Sequence, residues 1–187
     1  MRKIIFIIIL FFITYSNSFG VIIGMVENPF EVLVGLNFKK YNSLYWENGV
    51  QANYQNKNLH LTLGVNFETT LLGSALNSNA LKQYNFSFYI DRGFTFTYFA
   101  LKPRLNLGYF YADYESNIFN KLNNSTFTIS PELVLQFAFL HKLRFEFSAG
   151  YNIIHGDGTN GLGTLYPSYF RMNVLYQITK TLVPYKL

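Results

Sequence analysis

From Phe30 onward, apolar residues recur at every second position, and the residues between them are mostly Gly, Asn, Ser, Thr, Gln or charged. A period of two sends alternate side chains to opposite faces of an extended strand. The run 30–39 shows it plainly. Phe30, Val32, Val34, Leu36 and Phe38 share one face, while Glu31, Leu33, Gly35, Asn37 and Lys39 share the other. The clearest run is 59–68, where Leu59, Leu61, Leu63, Val65 and Phe67 alternate with His60, Thr62, Gly64, Asn66 and Glu68. The same test predicts further strands at 44–54, about 84–98, 104–112, about 127–140, 143–153 and 169–178.

Two positions leave the pattern open. Phe94, Phe96 and Tyr98 keep the parity of Tyr84, Phe86, Phe88 and Ile90 beyond Gly93, so one long strand turning before Pro103 is the favoured reading. The rival places the turn at Asp91-Arg92-Gly93 and so removes an outward Arg92. Pro131 has no N–H for a ladder, which predicts a bulge or an exposed strand end there.

The intervals between strands form a second pattern. Those near 55–58, 99–103 and 141–142 are short, whereas 69–82, 113–125 and 154–166 are long and rich in Gly, Ser and Asn. The short interval at 40–43 is the exception. Short turns at one end and long loops at the other are the signature of a transmembrane barrel with periplasmic turns and outer loops. The prediction is an all-β fold: a closed antiparallel up-and-down transmembrane β-barrel of about eight strands, with both chain ends on the short-turn side.

Composition strengthens this reading. Charged residues make up 13% of the chain and aromatics 19%, against about 25% charged in ordinary soluble domains. A soluble lipocalin-like barrel would also alternate, but it would carry its apolar face inward and charges toward water. Here the face opposite the apolar one is small and amide-rich, which suits a narrow lumen. The apolar face is therefore assigned to lipid, with the soluble ligand-binding barrel as the alternative.

Before the strands, Met1, Arg2 and Lys3 lead into an unbroken apolar run from Ile4 to Ile13, followed by Thr14, Tyr15, Ser16, Asn17, Ser18, Phe19 and Gly20. This reads as a signal peptide at 1–20, leaving 21–187 as the barrel domain. The chain has no cysteine, so neither disulfides nor a lipidated N-terminal Cys enter. The formal charge is +5, and no basic cluster exceeds Lys39-Lys40, so nucleic acid is excluded as a partner.

Candidate chemistry concentrates on the inward face. It carries Glu31, Lys39, Glu47, Glu68, Asp91, Arg104, Glu132, Arg144, Glu146 and Arg171. Charges confined in a narrow barrel must pair, so salt bridges are the expected role, with a polar conduit as the sharper alternative. The proposed core of this network is Glu31, Glu132, Arg144, Glu146 and Arg171, on strands that adjoin around the closure. His60, His141 and His155 are scattered without metal-ligand spacing, and Asp157 with Asn160 makes only a two-ligand calcium pattern. No metal and no cofactor is called for.

On these residues and this alternation, the chain resembles small outer-membrane barrels of the OmpX and OmpA-transmembrane type over essentially its whole length. The resemblance implies a monomer in the cell outer membrane, with outer-membrane lipid, lipopolysaccharide and the barrel-assembly machinery as partners. Such families end the last strand on an aromatic residue at the C-terminus. Here the chain continues from Tyr176-Gln177-Ile178 through Thr179 to Leu187. Barrel enzymes that deacylate lipid A are similar in placing a His-x-Ser pair near the outer end of a strand, but His155 is followed two positions on by Asp157, so the nucleophile is missing. The expected function is a structural or surface-interaction role carried by the long loops; a narrow pore and a lipid A-modifying enzyme are the alternatives.

Overall fold

A computed structural model describes residues 30–41, 46–72, 81–114, 124–140, 142–154 and 167–179. The expected signal peptide, the C-terminal tail, His141, the His155–Asp157–Asn160 segment and most of each long interval lie outside the described residues.

Ten strand segments appear in chain order: β1 (Phe30–Tyr41), β2 (Trp46–Asn56), β3 (Leu61–Leu72), β4 (Leu81–Arg92), β5 (Phe94–Thr95), β6 (Ala100–Tyr114), β7 (Ser125–Leu140), β8 (Leu143–Tyr151), β9 (Ile153–Ile154) and β10 (Ser168–Gln177). They form eight staves. β5 continues β4 in unchanged register against β6, since Asp91 faces Arg104 and Phe94 faces Leu101. β9 likewise continues β8 against β7, with Glu132 opposite Gly150 and Ile129 opposite Ile153. Every neighbouring pair is antiparallel, and β1 pairs with β10 to close the barrel.

The register fixes the barrel's shape. A walk from Glu31 across hydrogen-bonded partners passes Gln55, Thr62, Asp91, Arg104, Glu132, Gly150 and Tyr169, then returns to β1 at Tyr41. The return point lies ten residues above the start (41 minus 31), so the sheet closes with a shear of ten. Closure at this stagger needs strands tilted by roughly 40° and leaves a bore that side chains can fill. It also removes every edge, which hydrocarbon requires because it offers no partner to an unpaired N–H or C=O.

Burial follows parity on all eight staves. Phe88, Leu133 and Phe170 are 57%, 52% and 61% exposed, while their neighbours Tyr89, Glu132 and Arg171 are buried. The apolar face is therefore the outer face, and the soluble lipocalin-like arrangement is overturned. Aromatic rings gather toward the rims of this belt. Phe67, Tyr84 and Tyr111 stack in sequence across β3, β4 and β6 near the long-loop end, and Phe30 stacks on Tyr54 near the short-turn end. Amphipathic rings favour the two interfaces of a bilayer.

Several sequence-based boundaries shift. His60 is not in a strand: it ends the turn 57–60 with φ of 52°, a left-handed value, and its carbonyl accepts the Gly93 N–H at 2.7 Å. The favoured long strand forms and the rival turn at Asp91-Arg92-Gly93 does not, but the strand stops short of Tyr98. The long strand carries on through Gly93 to Thr95, and the chain reverses over 96–99, where Phe96 N–H donates to Phe99 O at 2.8 Å. Pro131 sits mid-strand without a register shift against β6. On its other side Pro131 falls opposite Tyr151, where β8 ends, and β9 resumes at Ile153; between them Asn152 N–H continues the ladder toward β10 by donating to Pro167 O. The irregularity of β7 lies at its far end, between Ala138 and Leu140.

Candidate functional site

Strand alternation delivers the inward charges, and the shear decides which of them meet. They form three tiers along the lumen. Nearest the long-loop end, Lys39 Nζ lies 3.3 Å from both Glu47 and Glu68, and Tyr41 donates its hydroxyl to Glu47 at 3.0 Å. Arg171 ties this tier to the next turn of the wall, with one nitrogen 2.8 Å from Glu68 and the other 2.8 Å from Glu132. Glu132 also accepts from Asn106 at 2.8 Å and from the Ser148 hydroxyl.

The middle tier centres on Arg104, which reaches Asp91 at 2.8 Å and Glu146 at 3.0 Å. Asn173 and Gln136 also donate to Glu146, at 2.9 and 3.1 Å. At the short-turn end Arg144 pairs with Glu31 and donates to Gln55 at 3.0 Å. Lys57, from the β2–β3 turn, adds a second cation 2.8 Å from Glu31.

The five residues singled out from the sequence therefore do not make one network. Arg144 and Glu31 form a terminal pair, Arg171 and Glu132 belong to the outer tier, and Glu146 faces Arg104 rather than Arg144. Two participants were missed. Lys102 falls in the short interval expected at 99–103, whereas it lies in β6, 1% exposed, with Nζ 3.7 Å from Glu146. Lys57 was read as a turn residue, and its lumen partner could be found only from the folded barrel.

Two tyrosines pack the bore between the tiers. Tyr89 lies over its cross-strand partner Gly64, where an added Cβ would sit 2.2 Å from the ring. Tyr169 covers Gly150 in the same way, at 2.3 Å. Glycine is required at both positions because any side chain would displace the ring. Each ring in turn faces a cation: Arg104 is 4.0 Å from the Tyr89 centroid, and Lys39 is 4.5 Å from that of Tyr169. Leu33, Phe110, Val134 and Leu175 also pack the bore, with no exposed surface. Among the described residues no group of three or more His, Asp or Glu is placed to hold a metal ion.

This arrangement has counterparts among known folds. No family model and no curated protein sequence matches the chain. Solved structures do. Outer membrane protein H (OprH) of Pseudomonas aeruginosa, determined in micelles, superposes with a TM-score of 0.55 at 16% identity, covering 79% of this chain and 99% of that one. Ail, the attachment invasion locus protein of Yersinia pestis, gives 0.53 at 14% identity over 79% of this chain and 97% of its own, in a complex with the heparin analogue sucrose octasulfate. The N-terminal barrel domain of P. aeruginosa OprF gives 0.51 at 9% identity over 81% and 98%. Likeness at such identity is one of fold. The chain has the fold of the small outer-membrane barrels, and its apolar outer belt and filled polar bore place it as an integral β-barrel of the outer membrane.

Proposed function

We propose that this chain is a non-catalytic, non-conducting outer-membrane barrel whose role is structural and surface-directed, exercised through the long intervals between its strands. The observation that carries this reading is the packed lumen. Glu68, Asp91, Glu132, Glu146, Arg104 and Arg171 are buried and paired at successive levels, and apolar side chains close the gaps between them. A conduit needs continuous solvated space, whereas charges held this way make a plug. What then meets the surroundings is the connecting chain, and function sits in loops held by rigid scaffolds.

With the short-turn end in the periplasm, the strand ends that lead into the intervals 73–80, 115–123 and 155–166 lie at the outer side. The charged side chains of these intervals are Lys121, Glu115 and Asp157, with His155 beside them, amid Asn, Ser, Gly, Leu and Ile. So sparse and mixed a charge set favours a neutral, hydrogen-bonding partner over a polysulfate such as the analogue bound to Ail.

Recording from the folded chain in a planar lipid bilayer tests the plug. The expected trace is the baseline of bare lipid. Sustained conductance steps would favour the narrow-pore reading instead.

A further inference from the structure

The charges inside the barrel are not equally well paired, and one cation is held more loosely than the rest. Toward the short-turn end Lys102, Arg104 and Arg144 share the bore with Glu31, Asp91 and Glu146, while Lys57 reaches Glu31 from the half-exposed turn. Two cations share Glu31, and Arg104 takes both Asp91 and the Oε2 atom of Glu146. That leaves Lys102. Its ionic contact among the described residues is Glu146 Oε1 at 3.7 Å, beyond hydrogen-bonding reach, and that oxygen already accepts from Gln136 at 3.1 Å. An ammonium 1% exposed to solvent carries three donors and a full charge, and such a group is costly unless a counter-charge meets it.

Lys102 lines a cavity of about 400 Å3 at this end of the barrel. Arg144 and Gln136 contribute polar walls, while Phe99 and Ala138 contribute an apolar one; the 96–99 turn forms its rim. The Lys102 stem runs beside Gly93, and no side chain at that position stands between them. The space is therefore bordered by one under-compensated buried cation, by amides and by an aromatic ring.

We propose that this cavity binds a small organic monoanion, a carboxylate on an apolar body, with Lys102 Nζ as its ionic anchor and the Phe99 side as the seat of its apolar part. A carboxylate within hydrogen-bonding distance would give Lys102 the close counter-charge that Glu146, at 3.7 Å, does not. A neutral molecule would not supply it, and an inorganic anion would leave the Phe99 side of the cavity unfilled. The site opens at the end opposite the long intervals, so it stands independently of the surface role proposed above.

The test uses the mature chain folded in detergent micelles, titrated with benzoate, with benzamide as the neutral isostere and with inorganic phosphate, and followed by backbone amide shifts. Benzoate is expected to saturate and to move the signals of Gly93, Ala100 and Gln136. Benzamide and phosphate should bind roughly tenfold more weakly or worse, the loss expected for a charge-assisted hydrogen bond. Lys102→Met should abolish the benzoate response, and Lys142→Met, at an exposed position, should leave it intact. Absence of saturation overturns the proposal, as do shifts centred on the other end, equal binding of benzamide, tighter binding of phosphate, or a Lys102→Met chain that still responds. Should Lys102→Met not fold, the three wild-type titrations decide the matter alone.

Discussion

Replacing Arg171 with alanine is expected to lower the unfolding free energy by about 3 to 5 kcal/mol, the cost of breaking a buried ion pair by removing one partner. Arg171 is 4% exposed and holds Glu68 and Glu132 at the same time, each at 2.8 Å. Without it both carboxylates stay in the bore, Glu68 with Lys39 and Asn85 and Glu132 with Asn106 and Ser148. Arg171→Lys should recover only part of the loss, since a single ammonium cannot reproduce a fork that spans two carboxylates. The measurement is the urea midpoint of the chain folded in vesicles. An unchanged midpoint for Arg171→Ala would mean that water reaches the tier freely, and the plug would fail with it.

The second large effect is expected on the opposite face. Val174 and Phe145 are register partners on β10 and β8, both of outward parity in the short-turn half of the belt. Arginine should cost up to roughly 2 to 4 kcal/mol, the penalty of a cation on the lipid face near the bilayer midplane, and less at Phe145, which lies nearer the turn. Ser148, one strand position beyond Phe147 and 7% exposed, faces the lumen. Ser148→Asn should cost far less than either arginine, because its loss is limited to the hydroxyl contacts with Glu132 and the Arg171 carbonyl. Comparable losses at all three sites would remove the distinction between the faces.

The alternation that identified the strands was legible because the two faces meet different solvents. A residue such as Phe88 or Leu63 is acceptable only outside, and Asn66 or Glu68 only inside, so the pattern survives without any knowledge of partners. Turns were less legible. Asp91-Arg92-Gly93 has the composition of a turn, and the parity of Phe94 and Phe96 rightly outweighed it, but that same parity carried the expected strand to Tyr98, past the actual reversal over 96–99. His60 looked like a strand residue because alternation continues through Leu59 and Leu61 on either side of it.

Lumen partners were the least legible part. Neighbouring strands suggested that Arg144, Glu146 and Arg171 would associate. A shear of ten instead carries contacts across the bore, so Arg104 on β6 meets Glu146 on β8, and Arg171 on β10 meets Glu68 on β3. Those pairs follow from closure, which no single strand encodes. The tyrosine–glycine pairs are hidden for the same reason, since Gly64 gains its meaning only once Tyr89 is known to lie opposite.

The claim beneath all of this is that the apolar face meets lipid, and the chain's single tryptophan allows a direct test. Trp46 is 50% exposed on the outer wall near the long-loop rim. The double variant Trp46→Phe, Phe88→Trp moves the sole indole to the middle of the belt, at a position 57% exposed. Folded into vesicles, its emission is predicted to be blue-shifted, strongly quenched by lipids brominated deep in the acyl chains, and insensitive to aqueous iodide. Quenching by iodide with no response to brominated lipid, from a chain that also folds in detergent-free buffer, would contradict the account.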